Sequence, residues 1–237
     1  MTKFLLIAIG LTMGLGAKKN DAIITIVDIA KLDRNGVAKE LSIINKYSPK
    51  VIGLDFLLTT DSLQKDVLLA KELSKTKHLV AATMLHNNDE KMTNRWDSLE
   101  QYHPKFRFGT SGFSNITTTD DTVIVNELPM RQYFKNDRIY AFSYMVAKMY
   151  DEERIKSKYK NDDRDFLFAE GTLGRRFKVI SVKELLSGNF DKNDLKGKIV
   201  LLGHVSDSED SFYLDETKTK KISGVELHAS FIREILE

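Results

Sequence analysis

The chain has 237 residues, 42% hydrophobic and 30% charged, which suits one globular domain with a sizeable core. With 36 basic and 34 acidic side chains the net charge is only +2, which excludes a general pull toward nucleic acid or anionic membrane surfaces. There is no cysteine, so disulfide frameworks and thiolate metal sites are excluded as well.

In chain order, Met1-Thr2-Lys3 is a short basic end, and residues 4–17 carry no charged side chain. Fourteen residues are too few for a helix across a bilayer, which needs roughly 20. Residues 1–17 therefore read as an export signal peptide or as a truncated membrane segment, and residues 21–237 as the folded domain. Residues 22–29 are apolar and β-branched at nearly every position, as in a strand buried on both faces of a parallel sheet. A helix follows over 35–47, with Val37, Leu41, Ile44 and Tyr47 on one stripe, and Pro49 stops it. Residues 51–56 form a second buried strand. Asp61 is placed to cap a helix whose core positions include Leu63, Val67, Leu68 and Leu73. His78 to Met84 is a third strand.

The middle of the chain is less regular. Residues 86–104 are polar and turn-rich and predict an exposed loop, with Trp96, Tyr102 and His103 either an aromatic contact surface or folded back on the body. Residues 106–134 hold short β-like pieces, notably Val123-Ile124-Val125, and residues 139–150 read as a helix. Residues 151–165 are charged with mixed signs, as in a solvated helix end and loop. Alternation then resumes: strands at 165–168 and 177–180, a short helix from Val182 to Leu186 closed by Gly188, a buried strand at 199–202, and a last helix from Gly224 onward. The pattern predicts an α/β fold: a mostly parallel sheet with helices on both faces and an irregular β-containing insertion in the middle.

Several pieces, in order, resemble the CHASE2 family of extracytoplasmic sensor domains of bacterial signalling proteins. Ile26-Val27-Asp28-Ile29 is similar to the family's opening strand and Val51-Ile52-Gly53-Leu54-Asp55 to its second. Gly112-Phe113-Ser114-Asn115 with Asp120-Asp121 resembles its central segment, and Ala141-Phe142-Ser143 its helix start. Leu195 to Gly203, Glu209-Asp210-Ser211-Phe212 and Gly224-Val225-Glu226-Leu227-His228-Ala229 resemble its C-terminal signature. Thr122 stands where the family usually has glycine, and Tyr213 to Thr217 replace its Thr-Pro step. The resemblance implies a sensing role outside the cytoplasm, in the periplasm or cell envelope, exported or membrane-anchored. It also implies membrane helices or an output module as partners in a full-length protein. It supplies no ligand.

Asp28 and Asp55 end two predicted parallel strands, where ligands of open α/β sheets bind. They either hold a cation or polar ligand, or cap loops and helices. His204 follows a strand end, with Asp207, Glu209 and Asp210 after it, and His228 lies in the first turn of the last helix beside Glu226. Asp28, Asp55, His204, Asp210, Glu226 and His228 thus form the expected ligand rim. Asp210 and His228 are the metal-ligand candidates, although no zinc-protease motif joins them. No dinucleotide fingerprint, P-loop or nucleophile elbow is present. The expectation is a non-enzymatic, cofactor-free sensor for an unknown small ligand or envelope protein. A metal-dependent hydrolase using the rim acids and histidines is the alternative, and an architectural envelope domain the third reading.

Overall fold

The computed structural model describes residues 23–61, 66–87, 96–118, 123, 127–160, 164–168, 173–174, 176–206 and 210–237. Strand β1 (Ile24–Asp28) leads through helix α1 (Arg34–Asn45) to β2 (Val51–Asp55). Helix α2 (Asp66–Lys75) then leads to β3 (Leu79–His86). The middle contributes β4 (Ser98–Glu100), β5 (Thr110–Phe113), β6 (Glu127–Pro129), and the hairpin β7 (Arg131–Phe134) and β8 (Asp137–Tyr140). Helices α3 (Phe142–Tyr150) and α4 (Glu152–Lys158) come next, then β9 (Phe166–Phe168), β10 (Lys178–Ile180) and α5 (Val182–Ser187). The chain closes with β11 (Ile199–Gly203), β12 (Ser211–Tyr213), β13 (Lys221–Ser223) and α6 (Gly224–Leu236).

The seven-stranded sheet runs β10-β1-β11-β2-β3-β4, with β5 also paired to β3. All its pairings are parallel except β3 with β4. The fold is therefore α/β, with a mostly parallel sheet. Strand β11 enters late in the chain yet lies between β1 and β2. Its register sets Asp28 and Asp55 level with Gly203, one on each side. Near-continuous apolar strands let the sheet bury both faces. Ile24, Ile26, Ile199 and Leu201 pack with residues of α3 and α6, whereas Val27, Leu54, Val200 and Leu202 pack with residues of α1 and α2 and with Leu185 of α5.

Several sequence expectations are corrected. The loop predicted over 86–104 contains β4, and Tyr102 is buried, its hydroxyl donating to the Phe56 carbonyl at 2.5 Å. Trp96 folds back, its indole N–H reaching Gln132 at 3.3 Å. Val67 and Leu68 are 60% and 51% exposed; Leu73 is buried as expected, and Leu69 takes their place on the buried face of α2. The helix predicted from 139 begins at Phe142, because residues 137–140 pair as a hairpin strand. The charged stretch after 150 holds a helix capped by Asp151, with Ile155 buried. The predicted export segment, Leu63, Ile124 and Val125 lie outside the described residues.

One core position conflicts with the apolar pattern. Glu40 is fully buried on α1, and both carboxyl oxygens lack a hydrogen-bond partner among the described residues. Burial, with a smaller contribution from Asp28, pushes its pKa up from 4.5 to about 8. The unfolded chain therefore loses this proton first as pH rises, and stability declines between about pH 4.5 and 8 before levelling off. Urea unfolding of Glu40→Leu should show that decline removed and a gain of about 1–3 kcal/mol at pH 9. Equal stability of the two proteins at pH 6 and pH 9 would contradict this account.

Candidate functional site

The three central strands end together. Asp28, Gly203 and Asp55 stand in register at the C-terminal edges of β1, β11 and β2. Alternation along each strand turns Asp55 toward the face covered by α3 and α6. Both helices sit close to the sheet there. A Cβ on Gly203 would lie 2.8 Å from Val225 Cβ in the first turn of α6. A Cβ on Gly112 would lie 2.7 Å from the Phe142 backbone at the start of α3. Neither approach is open to a larger residue without displacement.

These contacts bring His228 of α6, Ser143 of α3 and Asp55 of β2 together. His228 Nδ1 lies 2.8 Å from Ser143 Oγ, and its Nε2 lies 3.7 Å from Asp55 Oδ1. The ring also hydrogen-bonds the Ser114 backbone and packs edge-on against Phe142 and Phe231. With Nδ1 accepting from the Ser143 hydroxyl, the ring proton sits on Nε2. At 3.7 Å, Asp55 is too far for a true hydrogen bond, and its Oδ2 is buried without a partner among the described residues.

Burial controls the charges of this pair. It raises the Asp55 pKa to about 7, opposed by nearby His204, and lowers that of His228 to about 4, opposed by Asp210 and the Ser114 bond. Between those limits both groups are predominantly neutral, so the contact is not an ion pair in mildly acidic solution. Tyr102 is likewise held protonated, its pKa raised by burial and by Asp55.

A cavity of about 490 Å³ opens beyond these strand ends. Asp55, His204, Asp210 and His228 all line it, with Ser114, Asn115 and Gly224. Phe56, Leu57, Met84, Ile116 and Phe212 supply apolar wall. Four of the six sequence-predicted residues therefore share one space. The other two have structural partners. Asp28 Oδ1 accepts from the amides of Ala30 and Val205, at 3.0 and 3.2 Å, holding a turn in which Ala30 has φ 42°. Glu226 reaches back to the Ser223 amide and hydroxyl, capping α6. Among the described residues no group of three His, Asp or Glu side chains could hold a metal ion. Asp207 and Glu209 lie outside the described residues.

Sequence reasoning about sites passed over Ser114, Asn115 and Ser143. Asn115 mimics a strand: its Oδ1 accepts from Leu85 N at 2.8 Å and its Nδ2 donates to Leu85 O at 2.9 Å. Ser114 Oγ donates to the Thr83 carbonyl at 3.1 Å. Both residues, and Ser143, stand within segments that carried the family resemblance, which was the available signal.

A family model, CHASE2 domain, matches residues 19–237. The chain belongs to the CHASE2 family. CHASE2 domains are extracytoplasmic sensor domains of signalling proteins. No curated protein and no solved structure matches the chain. No helix among the described residues is long and apolar enough to cross a membrane.

In this CHASE2 domain, Gly203→Ala should cost about 1–3 kcal/mol in urea unfolding, because α6 must shift to admit the methyl group. An unchanged midpoint would show that the first turn of α6 does not rest on β11. In the wild-type protein, the His228 ring followed by NMR should stay neutral until the pH falls to about 4, and the Asp55 carboxyl should titrate near 7. Unfolded histidine protonates at about 6.5, so His228 contributes a loss of stability as pH falls from there toward 4. A His228 midpoint at 6.5 would contradict its buried placement.

Proposed function

We propose that this CHASE2 domain is a non-enzymatic sensor that binds a small molecule in the strand-end cavity and acts outside the cytoplasm, in the cell envelope. The observation that carries the reading is Asp55: a carboxyl group almost wholly removed from solvent, at the wall of a cavity, with one oxygen lacking a partner among the described residues. Such a group destabilises the empty domain, since a buried unsatisfied acceptor costs about 1–3 kcal/mol. A ligand donating to it removes that penalty only when bound. The cavity volume of about 490 Å³ lies within the range of small-molecule sites.

Helix α6 is the element suited to carry the response. Its first turn borders the cavity through Gly224 and His228. The same helix packs on β1, β11, α3 and α4. Occupancy that favours one seating of the first turn would shift the population of α6 positions, to the extent that the ligand distinguishes those positions. An attached membrane helix or output module would read that shift. Asp28 and Glu226 belong to the framework in this reading, and Asp55, His204, Asp210 and His228 face the ligand.

The test is a thermal-shift screen of small metabolites on the wild-type protein, followed by Asp55→Asn and His228→Gln. Ligands that raise the melting temperature should bind at least tenfold more weakly to both folded variants and should slow amide exchange in α6. Compounds that stabilise all three proteins equally, or that protect only the opposite face of the sheet, would overturn the assignment.

A further inference from the structure

Resting on that assignment of the cavity, we propose that its ligand is a small organic amine, with an ammonium group at Asp55 and a compact apolar body against the phenylalanine-bearing wall. Among the described residues, those lining the cavity include two acids, Asp55 and Asp210, and no lysine or arginine. His228 is locked between Ser143 and the Ser114 backbone. A cavity lined by one sign of charge concentrates ligands of the other sign.

Donors for an anion are scarce. The Ser114 hydroxyl is committed to Thr83, and one of the two Asn115 amide N–H donors to Leu85. The Ser143 hydroxyl faces the His228 ring. An incoming carboxylate or phosphate would find His204 and the second Asn115 N–H as its side-chain donors, in a cavity that also holds two carboxyl groups. The unmet need is the reverse: Asp55 Oδ2 lacks a donor, and its side chain is only 8% exposed. An alcohol could donate one neutral hydrogen bond there. An ammonium donates a charge-assisted one, which is roughly twice as strong, and it also gains from Asp210. Phe56 and Phe212 add aromatic surface, a favourable neighbour for both an ammonium and its carbon skeleton.

The groups around Asp55 define the pH behaviour. They are His204 after β11, Asp210 before β12, His228 on α6, Tyr102 ahead of β5, and Asp28 across Gly203. None is a fixed cation. With its pKa raised to about 7, Asp55 is largely protonated in mildly acidic solution. Binding an ammonium selects the ionised form. Affinity should therefore rise with pH up to about 7, and binding at pH 6 should release a proton.

The experiment is isothermal titration of the purified full chain with matched probes. Phenethylamine and isopentylamine share skeletons with 2-phenylethanol and isopentanol, and with phenylacetate and isovalerate. The amines should bind at least tenfold more tightly than the alcohols, and the carboxylates should not bind. At pH 6, heats measured in buffers of different ionisation enthalpy should show proton release. Asp55→Asn should erase the preference for amine over alcohol, and Asp210→Asn should reduce it. The wild-type comparison stands even if Asp55→Asn does not fold. Alcohols or carboxylates binding as tightly as amines, with affinity still sensitive to His228→Gln, would overturn the amine assignment and leave the cavity as the sensing site. Binding insensitive to Asp210→Asn and His228→Gln alike would overturn both. No binding of either amine at millimolar concentration would overturn the amine assignment.

Discussion

The close seating of the first turn of α6 on the end of β11 is the contact on which the rest of the site depends. It requires Gly203, because a side chain there would overlap Val225. Strand β11 must also lie between β1 and β2, a position it takes although it forms late in the chain. Given both, His228 arrives beside Asp55, Gly224 becomes part of the cavity wall, and His204 and Asp210 border the same opening. The chemistry of the site thus derives from a packing distance between a helix and a strand that no individual polar residue sets.

Two buried acids in this domain carry different meanings. Glu40 and Asp55 both have pKa values raised by burial, and both have oxygens without partners. Glu40 lies on the buried face of α1, within a helix whose neighbours Val37, Leu41 and Ile44 are core residues. Asp55 ends a strand, faces a cavity and stands beside an imidazole that burial keeps neutral. A perturbed ionisation alone does not separate a tolerated core acid from a poised one; access to a shaped space does.

The alternating strands and helices were legible because strands buried on both faces read as short, near-continuous apolar runs rich in Ile and Val, as at Ile24 to Asp28 and Ile199 to Gly203. The central rim was legible for the same reason: strand-end acids can be located once the strands are known. What escaped reading depends on non-local pairing. Ser98 to Glu100 become a strand only because the end of β3 offers a partner. Tyr102 is buried by a hydrogen bond to Phe56, 46 positions earlier in the chain. Val67 and Leu68 looked like core because their spacing fits a helix stripe, yet the buried stripe joins the expected Leu73 with Leu69. Periodicity reports that a face exists, and tertiary contact decides which one is covered. Asp28 and Glu226 were grouped with the rim by position alone; their hydrogen bonds assign them to a turn and a helix cap.

The far end of α6 is held differently from its first turn. Arg154, Lys158 and Tyr159, on α4 and just after it, donate to its last carbonyls: Arg154 to Glu237 at 3.1 Å, Lys158 to Ile235 at 3.2 Å and Tyr159 to Ile235 at 3.3 Å. Two of the three donors are cationic, matching the negative end of the helix dipole. That clamp makes sliding of the helix along its axis costly and leaves tilting about a fulcrum as the easier motion. Over a helix of 13 residues, about 20 Å long, a displacement of about 1 Å at the first turn is a tilt of about 3°. Any signal leaving along this helix would be angular, a small change of bearing with little change of reach.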